Sequence, residues 1–554
     1  MFKSSFYLIG ITFFSVLLSQ VDYNFSYELK YGTGSQILRD PYGEILGKVP
    51  YGYNEHLLDI NLFYEDMYIY TLFEFSEPPV FGKSTLGFNK MFLEYETNNL
   101  YAKAGNLVLL YGRGLSIGTS YDQVIDFDNT INGVELKYSL NDNLSLFTVN
   151  GVSNFSFRSK ADKREGDLEL GLNVNMAGID FSSELLGDIQ MFSLMEKQEI
   201  DNVESLIVGS NYFSDELSSR FFIFLNESGS RQDEVVHYSF NLNHTASLFD
   251  FDLYYELVFQ DYQKIASDDF ESEVDKYISV YKELGGFGIT YEYKDYYSPM
   301  RIKTISSPPT VFKETNSSLL SRTQHKINFL NESGHQIEIN KRFSKYVNFM
   351  FNLGLSSSKP EYSDLSDGVA SSDQFKIVDY FSSNFSIDQN IVFTPYRQVF
   401  FQFDGLIFRD RLHYKLGLDY FHEIKVYDVQ AFTLPTHFAI DFFDKRSIVV
   451  YYEYQLSSER KYETENLLKS KTHYSSMTLN YNSWHLSFFL DAVKVNNKDF
   501  KSWLGTNLTW NFTSTSMLSI FYGSQKGGLV CANGVCANQP DFDDGIKISL
   551  RTSF

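Results

Sequence analysis

The chain has 554 residues, 43% of them hydrophobic, 17% aromatic and 21% charged, with 2 Cys and a formal charge of −23. That is too hydrophobic for a disordered chain and too poor in cysteine for a disulfide scaffold. The acidic excess, with no basic stripe to oppose it, repels phosphate backbones and sets a nucleic-acid partner aside. The 40 Tyr and 52 Phe against 3 Trp require an architecture that uses many amphipathic rings.

Met1, Phe2 and Lys3 lead into an apolar run over residues 6–18 with a small Ser19 behind it. This order of basic start, apolar core and small residue is that of a secretory signal peptide, so residues 1–19 are expected to be removed and residues 20–554 to act outside the cytoplasm. The run is too short to cross a bilayer as a helix, and no later stretch reaches ~18 consecutive apolar residues. A bundle of membrane helices is excluded.

From residue 20 onward apolar and polar residues alternate in runs of strand length. Val134, Leu136, Tyr138 and Leu140 alternate with Glu135, Lys137 and Ser139. Leu168, Leu170, Leu172, Val174 and Met176 alternate with Glu169, Gly171, Asn173 and Asn175, which predicts a lipid-facing Leu170 and a lumen-facing Asn173. Trp484, Leu486, Phe488 and Leu490 oppose His485, Ser487 and Asp491. A soluble sandwich gives the same alternation.

The connections favour a barrel, because very short turns alternate with long polar stretches, as periplasmic turns and extracellular loops do. Short turns are expected at residues 65–66, 97–99, 141–143, 177, 214–217, 245–248, 344–346, 444–445, 482–483 and 513–515. Long connections are expected at 33–55, 113–131, 153–167, 188–202, 263–275, 457–471 and 523–544. If the strand over 22–32 starts at the periplasm, every long connection falls outside. The final strand alternates Ile546, Ile548, Leu550, Thr552 and Phe554 with Lys547, Ser549, Arg551 and Ser553. Ile548, Leu550 and Phe554 resemble the aromatic-ended signal by which outer-membrane barrels are read by the barrel-assembly machinery.

The predicted fold is therefore all-β: a transmembrane, antiparallel up-and-down β-barrel of about 26 strands, within roughly 24 to 28, with no separate plug domain. Only closed β-ladders satisfy strand backbones in hydrocarbon. So wide a lumen needs a filler, from infolded loops, bulky inward residues or a partner protein. Arg113 lies between Gly112 and Gly114 where a strand leaves the barrel, and Asp122, Asp126 and Asp128 follow. These residues suit an inward constriction that selects by charge, or else a bulged strand end with a solvated loop. The connection over 298–334 carries Pro308, Pro309, Glu314, Arg322, His325 and Glu332. It is too long for an idle loop, and is read either as a plug or as an exposed outer loop.

Asn533 and Gly534 form a strong hairpin signal that pairs Ala532 with Val535. Cys531 and Cys536 then oppose each other on a rung with Cα atoms about 4.5 Å apart, which suits a disulfide in an oxidising compartment. The acidic run Asp268, Asp269, Glu271, Glu273 and Asp275 reads as a solvated outer face, or as a divalent-cation bridge to lipopolysaccharide. The 10 His fall in no nucleophile, zinc or paired-carboxylate arrangement, so no enzyme, metal or cofactor is expected.

Three stretches carry a resemblance: AGNLVLLYGRGL with DFDNTINGVELKY (104–115 and 126–138), PPTVFKETNSSLLSRTQHKINFLNESGHQIEI (308–339) and GGLVCANGVCANQPDFDDGIKISLRTSF (527–554). They resemble an uncharacterised family of large outer-membrane barrels, known mainly from Bacteroidota-type bacteria. That resemblance implies a barrel integral to the cell outer membrane, in contact with its lipid and lipopolysaccharide, and supplies no functional residues. Two functions remain open: a pore or transporter-like channel, or a non-transporting surface scaffold or subunit of a secretion or assembly complex.

Overall fold

In the computed structural model, residues 21–554 are described except 40–44, 81–83, 124–126, 158–167, 200–233, 264–269, 298–307, 311–312, 314–316, 323–324, 326–330, 358–360, 363–390, 393–394, 425–426, 443–444, 462–466, 497, 533–534 and 540. The expected signal peptide lies outside them. The chain is nearly all β and closes into an antiparallel barrel of 24 wall strands.

In chain order the wall begins with β1 (Asp22–Arg39), β2 (Ile45–Tyr64), β3 (Met67–Ser76), β4 (Thr85–Glu96), β5 (Leu100–Leu107), β6 (Ile131–Asn141), β7 (Leu144–Phe157) and β8 (Leu168–Ser183). It continues with β9 (Gly187–Glu199), β10 (Glu234–Leu248), β11 (Phe251–Gln263), β12 (Phe270–Leu284), β13 (Phe287–Tyr297), β14 (Asn331–Ser344), β15 (Val347–Ser357) and β16 (Pro395–Ile407). It ends with β17 (Leu412–Ile424), β18 (Tyr427–Phe442), β19 (Arg446–Lys461), β20 (Leu467–Tyr481), β21 (Trp484–Val495), β22 (Lys501–Asn511), β23 (Ser516–Gln525) and β24 (Phe542–Ser553). Each strand pairs with its chain neighbour, and β1 closes the ring on β24 from Ser26↔Ser553 upward. Beyond that register, the Phe554 amide donates to the Phe25 carbonyl at 2.9 Å. The terminal strand is thus the seam of the barrel.

Most short turns stand where the alternation breaks, including 65–66, 97–99, 344–346 and 482–483. The wall has two strands fewer than the central expectation of 26, and the reason is local. β8 runs straight through Ala177 to Ser183, and β9 occupies much of the stretch expected to be a loop at 188–202. β9 then pairs directly with β10, from Asp188↔Thr245 to Glu199↔Glu234. The residues of the short turn expected at 214–217 lie outside the described ones. Four further loops are shorter than expected: β1 and β2 extend far into 33–55, β7 runs to Phe157 within 153–167, Glu271, Glu273 and Asp275 belong to β12, and β19 and β20 extend into 457–471.

Val134, Leu136 and Tyr138 face outward, as do Trp484, Phe488 and Leu490 on β21, each 36–48% exposed. A bilayer is the medium that accepts such an apolar band. β8 is the exception to the predicted facing. Leu172, Val174 and Met176 are 0–3% exposed and turn into the lumen, where they join Phe147, Val149, Phe192 and Leu194. Asn173, predicted to face the lumen, lies on the outer side, and the Leu170 side chain lies outside the described ones. Alternation sets which residues share a face, but it does not say which face meets lipid when the lumen also holds apolar cover. Leu172→Ala should therefore destabilise the barrel by about 2 to 5 kcal/mol as a core cavity does. The check is the temperature at which heat-modifiable gel mobility is lost. A lipid-facing leucine would barely shift it.

Candidate functional site

A closed ring of 24 strands has a circumference of about 150 Å from strand spacing and tilt alone. Its inner wall nevertheless carries carboxylates that are out of water: Glu256 and Glu453 are fully buried, and Glu332 nearly so. Each is met by one of two segments that leave the wall and fold inward.

The first segment occupies residues 108–130, between β5 and β6. Leu109, Tyr111 and Ile117 pack on the apolar inner face of β7–β9. A short ladder of Leu110–Tyr111 with Ile117–Gly118 carries the chain to a tight turn at Gly112, Arg113 and Gly114. Gly112 has φ +63°, and a Cβ there would meet Glu256 Oε2 at 2.7 Å, so both backbone and space require glycine. The tip seats on β11, six strands along the wall from β5. The Arg113 amide donates to Glu256 Oε2 at 2.7 Å and the Leu115 amide to Oε1 at 3.1 Å. The Arg113 guanidinium stands 5.2 Å from the Tyr254 ring. Leu115 is buried with Tyr277, Tyr296, Tyr396 and Phe421.

The second segment lies between β13 and β14. The Lys294 ammonium donates to the Pro309 carbonyl at 2.9 Å, and the Lys313 amide to Gln398 Oε1 at 3.1 Å. Ser317 then caps a single helical turn, α1 (Ser318–Arg322), by accepting from the Leu320 amide at 3.3 Å. The amides of Ser318 and Leu319 both donate to the Glu453 carboxylate of β19 at 2.7 Å. A five-residue turn is not stable alone, so these anchors and the buried Leu319 and Leu320 hold it. Arg322 forms an ion pair with Asp491 of β21 at 2.6 Å, without hydrogen-bond alignment.

His325 lies between Glu423 of β17 (Nδ1 to Oε1, 2.6 Å) and Glu332 of β14 (Nε2 to Oε1, 3.2 Å), stacked on Tyr396 at 4.4 Å. Lys294 pairs with the same Glu332 at 3.1 Å. Burial alone pushes the His325 imidazole down, but the charges of Glu332 and Glu423 outweigh it and hold its pKa above the ordinary value. A raised folded-state pKa means that the protonated ring anchors the segment at low pH and that this contribution is lost as pH rises through that pKa. Bilayer currents should thus show more frequent openings on raising the pH above it, a dependence that His325→Gln removes.

The expected site residues fall into three groups. Arg322, His325 and Glu332 come together inside the barrel, while Arg113 sits at the tip of the other segment. Asp122 and Asp128 belong to a short ladder beside β4, with Asp128 ion-paired to Lys90. Arg113 is therefore held against β11 and Asp128 against β4, on different parts of the wall. Asp126 and Glu314 lie outside the described residues. Cys531 and Cys536 are register partners in a hairpin of Gly528–Ala532 with Val535–Gln539, as the Asn-Gly signal predicts. Their side chains lie outside the described ones. The hairpin reaches α1: a Cβ at Gly528 would touch Arg322 Cγ at 3.2 Å. Sequence reading missed Glu256, Glu453 and Glu423, the wall anchors. The available signal was a lone carboxylate on the inner face of an aromatic strand, as in LYYELVF and VVYYEYQL.

Residues 49–554 match the model of DUF6029, a family of unknown function. The chain belongs to this family. No curated protein matches it. Among solved structures it is similar to the copper transporter OprC, at 9% identity over 97% of this chain and 80% of that one, with a TM-score of 0.44. It is also similar to the siderophore receptor PirA from Pseudomonas aeruginosa, at 7% identity, 96% and 80% coverage and a TM-score of 0.43. The translocation pore of the P pilus usher PapC gives 9%, 96% and 99%, with a TM-score of 0.39. Likeness at this level does not extend to what any of these proteins carries.

Proposed function

We propose that this DUF6029 chain is an integral outer-membrane β-barrel that acts as a channel or transporter-like passage, held closed by its own inward segments. One observation carries this reading: buried wall carboxylates on β11 and β19 are each paired with backbone amides of a segment that crosses the lumen. A wall built only as a scaffold has no need of buried charge, which costs several kcal/mol per ion unless paired. The outward apolar band supports a membrane setting, and Ile548, Leu550 and Phe554 on the closing strand support recognition by the barrel-assembly machinery. The second reading, a non-transporting scaffold or complex subunit, draws support from how many anchors hold the closed state.

Liposome swelling in graded sugars tests the choice. Vesicles holding the unmodified chain should swell slowly, and vesicles holding an anchor-deficient variant should swell fast. Equal impermeability of a correctly folded variant would favour the scaffold. The reading includes a Cys531–Cys536 bridge, which ties the hairpin that touches α1. Both thiols should resist alkylation in the denatured, unreduced chain and react after reduction; reaction before reduction would remove the bridge.

A further inference from the structure

The outer wall of β7–β11 carries a depression that none of the lumen contacts explains. Its volume is about 730 Å³, within the range of small-molecule sites. Two outward rungs build it. On the lower rung Thr148, Ala177 and Ser193 are followed by Phe240 and Phe259. On the upper rung Asn150 and Asn175 are followed by Met195, Tyr238 and Asp261. Small side chains make the floor, and Tyr238, Phe240 and Phe259, each 44–47% exposed, make one wall.

The depression sits at a level where the band should still be apolar. Asn150 is the register partner of Val134 on β6, which is outward and 43% exposed. Asn150 and Asn175 hydrogen-bond to one another, yet each amide has two donors and two lone pairs, so capacity remains. Hydrocarbon cannot use that capacity, and unsatisfied polar groups there cost several kcal/mol each. Whatever covers this notch must be polar above and apolar below. Of the outward lining residues Asp261 is charged and none is Lys or Arg, so a phosphate would meet no cation and a carboxylate instead.

We propose that this notch binds the uncharged sugar headgroup of an outer-leaflet glycolipid. The sugar hydroxyls bond to Asn150, Asn175 and Asp261, the apolar sugar face lies on the aromatic wall, and the acyl chain runs down over Ala177 and Ser193. The inference rests on the outer-membrane reading above, and not on whether the lumen conducts.

The test uses the full chain reconstituted in phosphatidylcholine vesicles that contain either monogalactosyl diacylglycerol or phosphatidylglycerol with the same acyl chains. Flotation and heat-modifiable mobility first establish insertion, and a chain that fails to insert contradicts the membrane reading itself. Lipid retained on the released protein is then measured by native mass spectrometry. The galactolipid should be retained at least about tenfold over phosphatidylglycerol. Ser193→Trp, which fills the floor, and Tyr238→Ala, which removes a wall, should each abolish the preference, while Leu508→Ala on the far side of the barrel should leave it intact. Equal retention of both lipids by an inserted chain, or an unchanged preference in both notch variants, would overturn the proposal. So would a lipid-independent dimer cross-linked through Ser193→Cys, which would show that a second copy covers the notch.

Discussion

A chain carrying Glu453→Ala and Asp491→Ala should conduct ions in a planar bilayer severalfold better than the unmodified chain, while keeping the same heat-modifiable mobility. Glu453 accepts from the Ser318 and Leu319 amides of α1, and Asp491 pairs with Arg322. Without them two amides of the helix turn lose the Glu453 acceptor and Arg322 loses its counter-ion, and a buried group deprived of its partner costs about 1 to 3 kcal/mol, more when it is charged. Both positions are on the inner wall, away from the strand ladder, so the barrel keeps its backbone bonds. The destabilised element is the segment, and its release opens a ring of 24 strands. Unaltered current from a folded double variant would mean that α1 does not limit the passage.

The second large effect concerns the outer wall. Leu136→Arg should cost about 2 to 4 kcal/mol, as cations at lipid-facing mid-membrane positions do, and should sharply reduce assembled barrel in the outer-membrane fraction. Thr509→Arg is the comparison. Thr509 belongs to an inner polar ladder with Asn507 and Ser519, where a cation keeps access to polar partners, so its assembly should stay near normal. Equal assembly of the two variants would contradict the placement of the bilayer around the wall.

The alternation of β6 and β21 could be read correctly from sequence because their inner partners are polar and their outer partners apolar, the ordinary contrast of a barrel strand. The same rule misassigned β8, since Leu172, Val174 and Met176 are apolar for a different reason: they are the seat of Leu109, Tyr111 and Ile117. A segment 40 residues or more away in sequence decides which side of that strand is core. The strand count was readable to within one hairpin: β9 pairs directly with β10, where a further short turn at 214–217 was expected between wall strands. The candidate site was half legible. Arg322, His325 and Glu332 stand out as charged groups in an overlong connection, but Glu256, Glu453 and Glu423 are single carboxylates on strands, and their importance appears only when the partner amides arrive from elsewhere in the chain.

The central claim is that the chain closes its own lumen, and current through a tethered segment tests it most directly. In a chain whose native cysteines are replaced by serine, Arg322→Cys and Asp491→Cys place thiols at the two ends of an observed ion pair. A short reducible bis-thiol reagent should link them within one chain and hold the single-channel current at its closed level, and reduction should restore openings to a large conductance. A linked chain that conducts as freely as the reduced one, or a pair that cannot be linked in the folded barrel, would contradict the account.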